Sequence, residues 1–115
     1  MNPAARSLLW YLLAGTRGGP NRIRILEELH DHPHNANQLA AELDMDYRTV
    51  RHHLRLLESN GLIVRPVGRA YASPYELSFD LSLHFEEIAA VREGVARGRH
   101  RPARPTSPGS GRLTL

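Results

Sequence analysis

Two apolar ladders of helical period stand three residues apart in the middle of this chain, and few architectures accept that. Ala36, Leu39, Ala40 and Leu43 recur at i, i+3, i+4 and i+7, the stripe of a short amphipathic helix. Tyr47, Val50, Leu54 and Leu57 recur at spacings of 3, 4 and 3, so a helix over about 47–59 turns them to a core. Asn35, with Gln38 three residues later, has the form of a capping box that opens the first helix. Asp44 closes it, Asp46 is a good N-cap for the second, and Gly61 ends the second. Only a tight turn fits between them, which is the spacing of a helix-turn-helix unit.

The flanks complete a small mixed domain. Residues 3–14 read as a first helix, with Leu8, Leu9, Leu12 and Leu13 in a wide stripe beside Trp10 and Tyr11, and Gly15 as a left-handed end. The segment "GTRGGP" lacks the Lys-Ser/Thr ending of a phosphate loop and reads as helix punctuation. Pro20 then suits the first turn of a helix running to about His30, with Ile25, Leu26 and Leu29 inward. "LIV" at 62–64 and "YASPYEL" at 71–77 read as two strands about a turn at Gly68, with Pro74 marking an edge or a bulge. Residues from Ser78 to about 97 read as one last helix with Leu81, Phe85, Ile88, Val91 and Val95 on one face. From Gly98 onward the chain is rich in Pro, Gly, Ser and Arg and is expected to be disordered. The expected fold class is mainly α with a small antiparallel hairpin, a winged helix-turn-helix spanning residues 1–97.

Composition narrows the function classes. With no cysteine there are no disulfides, thiolate metal sites or cysteine nucleophiles, which fits a reducing compartment. The longest apolar run, "LLWYLLAG", is too short to cross a bilayer, and a signal peptide would need more than Arg6 ahead of it and a cleavage site behind. A soluble cytoplasmic chain is expected. The formal charge is +3, but residues 98–115 hold four arginines and no acid; the remainder has 11 arginines against 12 acids, or −1. Any polyanion site must therefore be a local patch. All 15 basic residues are arginine, for which genome composition is a sufficient cause.

The segment "GGPNRIRIL" resembles the start of the second helix of ArsR-like transcriptional regulators, with their D-P-x-R-x-x-I-L pattern. "NQLAAELDMDYRTVRHHLRLLESNGLI" resembles their helix-turn-helix, and "VGRAYASPYELS" their wing; the "GTRGG" approach is most similar to archaeal members. The chain departs from the family in the turn, where Asp44 stands in place of the usual glycine. The resemblance implies a homodimer on double-stranded DNA. The first and last helices, both too apolar to stand in water, are expected to pack across a two-fold axis through Leu8, Leu9, Leu12, Leu81, Phe85, Ile88, Val91 and Val95, and no cofactor is expected.

Residue chemistry agrees with a DNA reading. At about 100° per residue, Arg48, His52, Arg55 and Ser59 lie nearly opposite the apolar ladder, with Thr49, Arg51 and His53 on the flanks. A helix about 10–12 Å wide fits the major groove, where Arg48 or Arg55 can fork onto guanine. Tyr47, Thr49 and His53 are expected at phosphates, Gln38 at the helix-turn-helix entrance, and Arg65 and Arg69 in the minor groove or on the backbone. A solvated helix face is the plainer alternative.

Other constellations are weaker. "HDHPH" puts His30, His32 and His34 close enough to share Zn, Ni or Cu, but a polar connection between helices explains it as well. His84 and Glu87 match half of a metal site found in some ArsR-like sensors, whose partner residues are missing here. No nucleophile, base and oxyanion donor come together, so no enzyme is expected. Two other readings remain open: a winged helix that docks an acidic protein, and a sensor gated by a metal or small molecule.

Overall fold

The computed structural model describes residues 1–66 and 73–98. The elements follow in the order α1 (Pro3–Ala14), α2 (Gly19–Asp31), α3 (Ala36–Leu43), α4 (Tyr47–Ser59), β1 (Ile63–Val64), β2 (Glu76–Leu77), α5 (Phe79–Leu83) and α6 (Glu86–Arg97). It is a mainly helical fold with a two-stranded antiparallel hairpin, as a winged helix-turn-helix requires. In the hairpin Ile63 faces Leu77 and Val64 faces Glu76.

Local signals account for most helix starts. Asn2 Oδ1 accepts from the Ala5 amide at 2.8 Å and caps α1. Pro20 lies in the first turn of α2, where its missing amide hydrogen leaves no bond unmade. Gly15 ends α1 at φ −101°, so the expected left-handed end is not formed there. The close approach lies instead at Gly19: a Cβ on that residue would sit 2.0 Å from the Leu13 carbonyl oxygen. Only glycine lets α2 begin so near the end of α1.

The core is built by α1, α2, α3, α4 and α6 together, with Leu9, Leu13, Leu26, Leu39, Leu54 and Ile88 fully buried. This corrects the expected assignment of apolar residues to a second copy. Leu9, Leu12, Leu81, Ile88 and Val91 are buried within a single chain, and for those on α1 and α6 the cause is that α1 lies against α2 and α6 of that chain. Leu8 and Phe85 are half-buried and Val95 is exposed.

The last helix is also corrected: it is two helices, interrupted at His84 and Phe85. The His84 ring bonds the Asp80 carbonyl at 2.9 Å, which is the acceptor its own amide would need in a continuous helix. That amide turns to the Leu81 carbonyl. The kink presents Phe85 to His30, and the two rings stack 3.7 Å apart at 6°.

The described part of the second strand is two residues long, preceded by a single rung between His34 and Tyr75. Tyr75 donates to the His34 carbonyl at 2.8 Å, and the return bond is 3.3 Å. The turn about Gly68 with Arg69, the start of the returning strand at residues 71–72, and the tail from residue 99 lie outside the described residues.

Candidate nucleic-acid interface

The unit at the centre of the site is α3, a turn, and α4. Asn35 and Gln38 form a reciprocal capping box, each side chain accepting from the other's amide at 2.8 Å. Gln38 is exposed, and its oxygen serves that cap, which leaves its amide hydrogens to reach outward. Asp44 adopts the left-handed conformation at φ 54°, the glycine-like geometry the turn demands. Asp46 then caps α4, its carboxylate accepting from the Arg48 and Thr49 amides at 2.9 and 3.3 Å. A carboxylate there also meets the positive end of the helix dipole.

From this fixed start α4 buries Val50, Leu54 and Leu57 and keeps Arg48, His52, Arg55 and Ser59 exposed. Tyr47 and Thr49 are half-buried. Arg51 lies beside them: its Nη1 donates to the Tyr47 hydroxyl at 3.4 Å, and its buried Nε has no partner among the described residues. The result is a ridge of two arginines and a histidine held over a rigid base.

Residues 18–66 match a family model described as a helix-turn-helix domain. The match covers fewer than half of the residues and agrees with the helix-turn-helix geometry of α3, the turn and α4. No curated protein matches it. The matched span runs from the start of α2 through β1, so both the three-helix body and the first strand of the hairpin fall inside it. Among the described residues no helix is long and apolar enough to cross a membrane.

Within the helix-turn-helix domain one expected contact residue is misplaced. His53 is 5% exposed and cannot reach a phosphate, because the turn between α1 and α2 covers that flank of α4. Its Nδ1 lies 3.0 Å from Arg22 Nη1. Arg22 is itself buried, donating from Nε to the Leu12 carbonyl at 3.0 Å and from Nη2 to the Thr16 hydroxyl. Burial, and then the charges of Arg22 and His52, hold the His53 ring down to about 4. Sequence reasoning missed this network. The signal available was Gly18: a Cβ there would lie 2.6 Å from Arg22 Nη1 and 2.8 Å from His53 Cε1, so the glycine pair makes room rather than merely punctuating.

The remaining candidates divide. Arg65 is half-buried; it faces Glu58 at 3.4 Å and lies over the Tyr75 ring at 4.8 Å, which holds its stem to the domain. Arg69 lies outside the described residues. The three histidines of "HDHPH" do not form one cluster: the His32 and His34 rings approach to 4.8 Å, His34 faces Glu28 at 3.3 Å and takes the His32 carbonyl at 2.8 Å, but His30 stacks on Phe85 instead. Glu87 is engaged by Arg6 Nε at 2.9 Å and Trp10 Nε1 at 3.1 Å. Burial pushes its carboxyl up, but these two hydrogen bonds and the charges of Arg6 and His84 bring it below its ordinary value. Its neighbour His84 lies against Asp80 and the N-terminal amine. Among the described residues no group of three or more His, Cys, Asp or Glu is arranged to hold a metal ion.

Proposed function

We propose that this chain is an ArsR-like transcriptional regulator that binds a roughly palindromic operator as a homodimer in the cytoplasm. In this reading α4 enters the major groove, and the wing at about 65–70 lies on the minor groove or the backbone. The observation that carries it is the exposed ridge of Arg48, His52 and Arg55, aimed by the Asp46 cap and seated on Val50, Leu54 and Leu57. Guanidinium forks match the O6 and N7 acceptors of guanine, and the His52 ring offers a further hydrogen-bonding edge beside them. Tyr47, Thr49 and Arg51 flank the ridge at phosphate height. Gln38, Arg65 and Arg69 add contacts at its edges. Two-fold symmetry sets half-sites about 34–36 Å apart, or a multiple of that. The exposed Phe79, Leu83 and Val95 support a second copy as partner, since a lone chain leaves them in water. No catalytic step belongs to the function, because helix-turn-helix domains bind rather than react.

The first test is a gel shift on sheared genomic DNA across a salt series, followed by sequencing of the bound fraction. Enriched, salt-sensitive binding is expected; absence of both would leave a protein-docking module instead. On the enriched site, Arg48→Ala is expected to cost about 1–3 kcal/mol and to relax preference at one base. Equal losses on cognate and random DNA would overturn the base-reading role.

A further inference from the structure

Arg22 is 3% exposed, and no described carboxylate pairs with it. Its three partners are a carbonyl, a hydroxyl and an imidazole, none of them charged. The last turn of α1, through Leu12, supplies part of a negative charge, on the order of half. That leaves a buried cation only partly offset, which is costly unless something else neutralises it. Five N–H donors belong to a guanidinium and three are used here, so two remain.

The same side chain lines a groove of about 630 Å³ between the α1–α2 turn and α4. Arg17, Asn21 and His52 stand on its rim with Arg22 beneath, and Tyr11 and Leu56 give it apolar walls. His52 belongs at once to this groove and to the outward ridge, so the groove opens beside the surface assigned to DNA. Two guanidiniums, an amide and an imidazole from two helices and a turn suit a tetrahedral anion with several acceptor oxygens better than a two-oxygen carboxylate.

We propose that this groove is a phosphate-binding site, with Arg22 as its buried fixed charge and Arg17, Asn21 and His52 as the donors that close over the anion. The phosphate comes from the DNA backbone flanking the major groove or from a free phosphate group in solution. Only the first source rests on the DNA-binding reading.

Two arms separate them. In the first, His52 and His53 ring signals of the full chain are followed by NMR as inorganic phosphate is added at constant ionic strength, with chloride as control. Saturable shifts, absent in Arg17→Ala and Asn21→Ala, identify a site for free phosphate. In the second, DNA affinity is measured against salt. A backbone contact predicts that Arg17→Ala lowers the salt slope by about 1. Asn21→Ala, which changes no charge, weakens binding several-fold, while Arg97→Ala on α6 leaves both unchanged. Response in either arm supports the site. No phosphate response together with a DNA slope that Arg17→Ala leaves unchanged, or that Arg97→Ala lowers as much, overturns it. If the unaltered chain binds no DNA at all, the DNA reading fails, and the phosphate titration alone decides the groove.

Discussion

Arg22 reaches from the start of α2 toward α1, Thr16 and α4, and the direction of one bond follows from chemistry alone. A guanidinium only donates, so His53 Nδ1, 3.0 Å away, must accept, and the ring carries its hydrogen on Nε2. A proton added at Nδ1 would set two donors against each other inside the core. The folded ring is held down to about 4, first by burial, whereas in the unfolded chain it titrates near 6.5. Between those values the unfolded state binds more protons, so stability rises with pH through that window and is lost on acidification. At about 1.4 kcal/mol for each pH unit, the loss reaches about 3 kcal/mol. Replacing the ring by an amide, His53→Asn, keeps an acceptor oxygen and removes the titration. Denaturant unfolding should therefore show the original chain losing its advantage over the variant between about pH 7 and pH 4.5; a constant gap would mean another group titrates. None of this was legible in the sequence. Helical spacing correctly set His53 on a flank of α4, but which flanks are covered depends on residues 16–22, more than thirty positions away.

At the scale of elements, the helix-turn-helix unit was legible almost to the residue, because its boundaries are written in caps. Asn35 with Gln38, Asp44 and Asp46 each fix a backbone conformation through their own side chain or their tolerance of φ 54°. Two neighbouring substitutions should accordingly move stability in opposite directions. Asp46→Ala removes both amide bonds of the cap and should cost about 1 kcal/mol. Asp44→Gly relieves a left-handed L-residue and should gain about 0.5–1 kcal/mol. Thermal melting of the two variants beside the original chain checks both signs, and a loss for Asp44→Gly would mean that its side chain holds the turn in some other way. The split between α5 and α6 was not legible. The apolar stripe from Leu81 to Val95 is compatible with one continuous helix, and the interruption arises from the His84 ring taking the Asp80 carbonyl.

For the whole molecule, the sequence shows which faces are apolar but not whether they meet the same chain or another. The stripe through Ile88 and Val91 on α6 meets α1 and α2 at home, and Leu81 is buried in the same core. The most exposed large apolar side chains are different ones: Phe79 at 78% and Leu83 at 59% exposure, one turn apart on α5. If two copies associate through this surface, each side chain buried there contributes about 1.5–3 kcal/mol. Phe79→Ser with Leu83→Ser should then raise the dimer dissociation constant at least about 100-fold in sedimentation runs. A double variant that sediments as the original does would move the interface elsewhere. The rung between His34 and Tyr75 bears on the hairpin in a further way. The described part of the ladder is two residue pairs with little footing of its own, and it is joined by a rung to the segment that leads into α3. The described strands and the entry of α3 are thus tied through one rung, so a load leaning on one is felt at the first turn of the other before it reaches α4.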